Sequence, residues 1–132
     1  MPISRTLLMW RLLAIISVLL IWAGSLLPAE DIARVSTALQ DKLLHFLGYL
    51  LVALLIGQGW RQLSWWVVWL LTFLIGAGAE VAQELLTRSR TFEWLDFVAN
   101  GGGALAGVAV SQLIQLTFTD KSAGGGQIDD QH

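Results

Sequence analysis

The chain contains no cysteine. This absence excludes disulfides, thiolate chemistry and zinc–thiolate sites, and it leaves the redox compartment undefined. Charged residues are also scarce, at 14% of 132 residues, whereas a typical soluble domain carries about 25%. No basic patch indicates a nucleic-acid partner, and the net charge of −2 carries little information. We therefore predict neither an ordinary soluble domain nor a nucleic-acid-binding protein.

Apolar residues make up 55% of the chain and stand in long blocks. About 20 consecutive apolar residues span the hydrocarbon core of a bilayer. We therefore predict an all-α membrane protein in which four transmembrane helices form a compact bundle, as one domain covering residues 1–119. The predicted spans cover about residues 7–27, 43–60, 64–86 and 97–118. Residues 120–132 are polar and glycine-rich, and we predict a disordered tail there.

The first apolar block has an alternative interpretation as a cleavable signal peptide, because Ala23, Gly24 and Ser25 offer small residues near its end. The block is longer than a usual signal-peptide core, and Trp22 stands where an interfacial aromatic residue is expected. These two features favour a membrane span. Pro28 then ends the helix because proline lacks an amide donor.

Four spans place both termini on one side of the membrane. Lysines and arginines divide evenly between the sides, so their count alone does not set the orientation. Arg5 and Arg11 flank the start of the first span, and the first helix usually dominates. We therefore predict a multi-pass protein of the inner (plasma) membrane with cytoplasmic termini. Tryptophans mark both interfaces: Trp60, Trp65 and Trp66 at one, and Trp94, in the loop after the third span, at the other.

Polar side chains interrupt three of the spans at helical spacing. The groups are Asp41, His45 and Tyr49; Glu80 and Gln83; and Asp96 and Asn100. The predicted topology brings all three groups to the same membrane face. An ionisable group in a lipid-facing helix costs about 2.5–3.5 kcal/mol, so Glu80 must be shielded, paired or used. Arg90, in the loop between the third and fourth spans, can bridge to Glu80 or Asp96.

Three sequence patterns occur together in this region: D-K-x-x-H-x-x-x-Y at residues 41–49, E-x-x-Q at residues 80–83, and R-x-x-x-x-x-D-x-x-x-N-x-x-G-x-x-x-G at residues 90–107. Their joint spacing resembles the VanZ-like family of bacterial membrane proteins over roughly residues 38–110. One departure is Ser89, which stands where family members often carry proline, and Arg88 adds a second candidate for the family's arginine. The resemblance implies polar residues clustered at helix ends. The founding member is associated with reduced susceptibility to teicoplanin, but most members have no assigned reaction.

The residues themselves favour a pocket for binding or catalysis at the outer face. The candidate catalytic residues are His45, Glu80 and Asp96. The candidate ligand-binding residues are Asp41, Lys42, His45, Tyr49, Glu80, Gln83, Arg90, Asp96 and Asn100. Neighbouring carboxylates suit general acid–base work, Asp41 can orient His45 as a base, and Lys42 and Arg90 can hold a phosphate. We predict an envelope-associated role in binding or modifying an anionic lipid or a lipid-linked wall precursor.

Three alternatives stay open. The first is a structural or partner-binding membrane protein without catalysis, in which hydrogen bonds and the ion pairs Glu80–Arg90 and Asp41–Lys42 hold the helices together. The second is a divalent-metal site from Asp41, His45, Glu80 and Asp96. The sequence has no recognised metal motif, so we predict no metal and no other cofactor. The third is a small-solute transporter or accessory subunit, which would need an oligomer because four spans form a narrow bundle. The expected partners are membrane lipids and an amphiphilic anionic ligand, and an oligomer is compatible with the sequence.

Overall fold

The computed structural model describes residues 4–27, 38–87 and 93–124, which form four α-helices and no strands. The helices are α1 (Arg5–Ser25), α2 (Ala38–Gly59), α3 (Trp65–Leu86) and α4 (Trp94–Gly124). Each contains a stretch that is long enough and apolar enough to cross a bilayer. The chain is therefore a multi-pass membrane protein, and the predicted all-α four-helix bundle is confirmed.

Two helices begin earlier than the apolar blocks predict. The prediction began these spans at residues 43 and 97, whereas α2 begins at Ala38 and α4 at Trp94. Each added segment places an aspartate in the first helical turn, Asp41 in α2 and Asp96 in α4. A carboxylate is favourable there because the N-terminus of a helix carries a partial positive charge. The assignment of Trp94 to a loop was wrong, because α4 begins at Trp94, three residues before the predicted start of its span.

The last helix also continues beyond its predicted end at residue 118. It reaches Gly124, so residues 120–124 are helical although the sequence predicted a disordered tail from residue 120. Once a helix exists, each further residue adds one backbone hydrogen bond. The described part of the helix reaches residue 124, the first of a run of glycines. Residues 125–132, the rest of the predicted tail, lie outside the described residues.

The two ends of the bundle differ in character. At one end, α1 and α3 finish and α2 and α4 begin; we call it the acidic end after Asp41, Glu80, Glu93 and Asp96. At the other end, called the tryptophan end, Trp60 follows α2, and Trp65 and Trp66 begin α3. Trp65 and Trp66 are exposed, as side chains of an interfacial belt are.

The helices α2 and α4 form the central pair of the bundle, and they run parallel. Their interface is the most extensive one, with α1 packed mainly on α2 and α3 packed on both α4 and α2. Within the described residues, α1 and α4 do not pack against each other. The parallel course matters for the site, because it brings the starts of α2 and α4 to the same end of the molecule.

Two glycines allow the central helices to approach closely. Gly103 and Gly107 are buried against the backbone carbonyls of Phe46 and Leu50, and a Cβ atom at either glycine would overlap those oxygens. This is the packing that a G-x-x-x-G pair provides in membranes. The close approach positions every α2–α4 contact of the site.

Polar contacts hold α1 near both of its ends. Arg11 Nε donates to the carbonyl of Gly59 at 2.8 Å, and Gln83 Nε2 donates to the carbonyl of Ser25 at 2.7 Å. Between these contacts, an apolar cleft of about 330 Å³ separates parts of α1 from α2 and α3. Ala14 is the buried residue of α1, so most of this helix faces the surroundings of the bundle.

Candidate functional site

The candidate site lies at the acidic end, where α2, α3 and α4 bring polar side chains together. Lys42 of α2 contacts the start of α4, and His45, one turn further along α2, contacts both α3 and α4. These contacts bring polar side chains of three spans together at one end of the bundle, as the sequence analysis predicted. Glu80 is 3% exposed, so its carboxylate faces the interior of the bundle.

Lys42 joins the first turns of the two central helices. Its Nζ lies 2.5 Å from Asp96 Oδ1 and also forms an ion pair with Glu93. The two carboxylates differ in environment, since the side chain of Asp96 is 10% exposed and that of Glu93 is 55% exposed. Lys42 therefore has one buried partner that fixes its position and one partner close to the surface.

His45 is held by residues of two other helices. Its Nδ1 lies 3.0 Å from Asn100 Oδ1 of α4 and 3.5 Å from Glu80 Oε1 of α3. Because both neighbours are acceptors, a proton on Nδ1 suits this arrangement, and in a neutral ring that tautomer has its lone pair on Nε2. Asn100 and Glu80 therefore orient the imidazole ring, whereas the sequence analysis predicted that Asp41 orients it.

Asp41 stands on the other side of the imidazole. Its Oδ2 is 4.0 Å from His45 Nε2, which is too long for a hydrogen bond. One ligand atom each from Asp41, His45 and Asp96 lie within 4.8 Å of one another. Carboxylate oxygens and an imidazole nitrogen form a donor set that several divalent ions accept, but Lys42 already provides a positive charge at Asp96.

Tyr49 and Asn100 form the deepest part of the cluster, and each is 1% exposed. Both lie against Gly76 of α3, one turn before Glu80. Asn100 uses its oxygen for His45. The hydroxyl of Tyr49 and the amide nitrogen of Asn100 have no hydrogen-bond partner within the described part of the chain.

Gln83 belongs to a different contact. Its amide donates to Ser25 at the end of α1, and its own carbonyl accepts from Thr87. The sequence had grouped Gln83 with the ligand-binding residues, whereas its side chain attaches α1 to α3. Arg88 and Arg90 lie outside the described residues, so the predicted contribution of Arg90 to phosphate binding stays a prediction.

A second polar network lies at the tryptophan end and was not singled out from the sequence. Gln58 Nε2 of α2 donates to the carbonyl and hydroxyl oxygens of Ser111 at 3.0 and 3.1 Å, and Gln115 Nε2 of α4 donates to the carbonyl of Gly57 at 2.9 Å. Arg61 donates to Gln58 from the loop. The sequence feature that could have identified this network is the presence of polar residues near the ends of two apolar spans. These hydrogen bonds join α2 and α4 at the tryptophan end.

Comparisons with known proteins do not extend this description. No family model matches the chain, and no curated protein and no solved structure matches it. The likeness to the VanZ-like family therefore depends on the spacing of residues 41–107.

Proposed function

We propose that this membrane protein is a VanZ-like protein of a bacterial inner membrane with an envelope-associated role. In this proposal its termini are cytoplasmic and its acidic end lies at the outer face. There it binds or modifies an anionic lipid or a lipid-linked wall precursor. The observation that carries the proposal is the convergence of Lys42, His45, Glu80 and Asp96 from three helices at one end of the bundle.

Lys42 supports the recognition of an anionic head group. Its contact with Glu93 involves a side chain that is 55% exposed, and exposed ion pairs contribute only about 0–1 kcal/mol. In the proposal, a phosphate takes the place of Glu93 at Lys42 while Asp96 keeps Lys42 in place. The first turns of α2 and α4 lie at the same end, and their partial positive charge favours an anion, although Asp41 and Asp96 already use part of it.

His45 supports a modifying role. Asn100 and Glu80 bind its Nδ1 side, which leaves Nε2 as the proton acceptor on the side of Asp41. An imidazole with a fixed tautomer and a free lone pair is the usual general base of enzymes. In the proposed reaction, His45 takes a proton from a hydroxyl group of the ligand or from water.

The alternative is a structural or partner-binding protein without catalysis. It is favoured by the fact that Lys42, His45 and Gln83 each contact a helix other than the one on which they stand. Interhelical hydrogen bonds in membranes contribute about 0.6 kcal/mol each on average, so several are needed to stabilise a bundle. The acidic end supplies several, and this is the function that remains if no ligand binds.

Lipid binding by the purified protein tests the proposal. Native mass spectrometry compares the binding of phosphatidylglycerol and phosphatidylcholine to the original protein, to Lys42→Gln and to Arg61→Gln. Arg61 is the matched control because it is an exposed cation at the tryptophan end. A hydrogen bond to a charged group contributes about 1.5–3 kcal/mol, so Lys42→Gln is expected to weaken phosphatidylglycerol binding about tenfold or more. Equal binding by all three proteins contradicts the proposal.

A second experiment separates binding from modification. Cells that produce His45→Gln or Glu80→Gln at the original level are compared with cells that produce the unchanged protein. Suppose that the purified His45→Gln protein still binds phosphatidylglycerol, while the cells show altered envelope lipids or altered antibiotic susceptibility. This result indicates chemistry at His45. Unaltered cells together with retained binding indicate binding alone.

A further inference from the structure

The apolar cleft beside α1 opens on the outer surface of the bundle. Its volume is about 330 Å³, and its walls come from α1, α2, the loop after α2, and α3. Ile15 and Leu19 line it from α1, and these side chains are 51% and 63% exposed. Clefts that bind small ligands have volumes of about 300–1,000 Å³. The cleft is therefore large enough for part of a ligand, and it faces the lipid of the membrane.

An arginine stands where this cleft meets the tryptophan end. The guanidinium carbon of Arg11 lies 5.1 Å from the centre of the Trp60 ring, and Trp60 is itself one of the lining residues. Arg11 precedes the lining residues Ala14 and Ile15 by three and four positions, a spacing that places all three on one side of α1. Arg11 is thus the charged group nearest along α1 to the cleft.

The guanidinium of Arg11 retains most of its hydrogen-bonding capacity. Arginine has five N–H donors, and Arg11 uses Nε for the carbonyl of Gly59 at 2.8 Å. Within the described residues, Arg11 has no carboxylate partner and no other hydrogen bond. The two segments around it, residues 4–11 and 57–66, contain three arginines and no acidic residue. The charge of this region therefore favours an anion.

The size of the cleft distinguishes a flexible chain from a helix. From Arg11 to Leu19, α1 advances by about 12 Å at 1.5 Å per residue. A helix of the same length and about 10 Å diameter has a volume of about 900 Å³, nearly three times that of the cleft. A helix of a second copy therefore does not fit inside it, whereas a thin hydrocarbon chain does.

The head group decides which lipid is preferred. Lipid tails are as apolar as the lining of the cleft, so moving a tail from the bilayer into the cleft provides little selectivity. The planar guanidinium of arginine binds phosphate through two parallel hydrogen bonds. Trp60 and the carbonyl of Gly59 hold Arg11 in position beforehand, which reduces the cost of ordering this side chain on binding.

We propose that the cleft binds one acyl chain of an anionic phospholipid whose phosphate group contacts Arg11. We call this region, bounded by Arg11, Ile15, Leu19 and Trp60, the α1 lipid site. It lies toward the opposite end of the bundle from Lys42, so it goes beyond the proposed function. It requires neither a reaction at His45 nor a ligand at the acidic end.

Two matched pairs of substitutions test the head group and the cleft separately. Arg11→Gln removes the charge, and Arg5→Gln is its control because Arg5 is an exposed cation at the start of the same helix. Ile15→Trp fills the cleft, and Ile16→Trp is its control because the two isoleucines are 51% and 50% exposed but only Ile15 lines the cleft. All four are made in the original protein and in Lys42→Gln, in which the acidic end lacks its lysine.

The measurement is native mass spectrometry of the purified full-length proteins with phosphatidylglycerol or phosphatidylcholine. We expect the original protein and both controls to bind one phosphatidylglycerol molecule more tightly than phosphatidylcholine, whose choline group brings a compensating positive charge. Arg11→Gln and Ile15→Trp are expected to weaken phosphatidylglycerol binding about tenfold, because each removes one of the two parts of the site.

Equal phosphatidylglycerol affinity within either matched pair overturns the proposal, and so does equal affinity of the original protein for the two lipids. Unfolding midpoints measured without lipid show whether each variant is folded. If Arg11→Gln does not fold, the pair Ile15→Trp and Ile16→Trp decides, since neither substitution removes a contact of Arg11. A difference within the pairs that persists in Lys42→Gln supports the α1 lipid site even if Lys42→Gln alone has no effect, the result that contradicts the proposed function.

Discussion

Gly103→Ala tests whether the central pair of helices requires its close approach. In the structure, an alanine Cβ at this position would overlap the carbonyl oxygen of Phe46, which belongs to a rigid helix and has no rotamer to change. The helices α2 and α4 must then separate by about 1 Å, and a gap of this size forfeits a quarter to a half of each affected van der Waals contact.

The expected magnitude follows from two opposing effects. Overpacking costs about 1–3 kcal/mol, and replacing glycine by alanine inside a helix returns about 0.5–1 kcal/mol. Because the obstacle is backbone, the overpacking cost lies at the upper end, so Gly103→Ala is expected to lose about 2 kcal/mol of stability. Gly102→Ala is the matched control: its Cβ would meet the Phe46 ring at an ordinary 3.6 Å, so helix propensity predicts equal or greater stability.

The assay is unfolding in mixed micelles with increasing dodecyl sulfate, followed by tryptophan fluorescence. The seven tryptophans of the chain provide the signal. Equal midpoints for Gly102→Ala and Gly103→Ala would refute the argument, because the two substitutions share the gain in propensity and differ only in the overlap with α2.

Two further predictions use the same unfolding assay. In double-mutant cycles, the coupling of Lys42 with Asp96 is expected to exceed its coupling with Glu93. Exposed pairs contribute about 0.2–1 kcal/mol, whereas the side chain of Asp96 is 10% exposed and its pair with Lys42 is less screened by solvent; equal couplings would contradict this difference in environment. Gln58→Leu removes two bonds to α4 and is expected to cost about 0.5–2 kcal/mol, while Gln62→Leu in the exposed loop is expected to change little. A neutral Gln58→Leu would show that the network at the tryptophan end does not stabilise the bundle.

The sequence predicted the architecture well because long apolar blocks have few alternative folds in a bilayer. It predicted the starts of α2 and α4 less well. Asp41 and Asp96 interrupt the apolar pattern, yet each is a favourable first-turn residue, so a search for apolar residues places the start of each helix too late. The preference for a carboxylate in the first helical turn, which acts locally, is the sequence signal that favours these starts.

The composition of the site was also partly predictable. Helical spacing and an even number of spans were sufficient to place His45, Glu80 and Asn100 at the same end. The partners of each group were not predictable, because they depend on which helices pack together and on how each is rotated about its axis. Asp41 is four residues from His45 and appeared to be its partner, whereas Asn100 from the parallel helix α4 is closer. Gln83 likewise contacts α1, which spacing along α3 does not reveal.

The two contacts of α1 have a mechanical consequence. Arg11 is joined to the end of α2, and Ser25 is joined to α3 near the other end of the bundle. We expect that a helix hydrogen-bonded to its neighbours near both ends does not tilt independently of those neighbours. A single transmembrane helix adapts to a thinner bilayer by tilting alone, but here α1 has to take α2 and α3 with it. We therefore expect a difference in bilayer thickness to act on the whole bundle, including the end that carries His45.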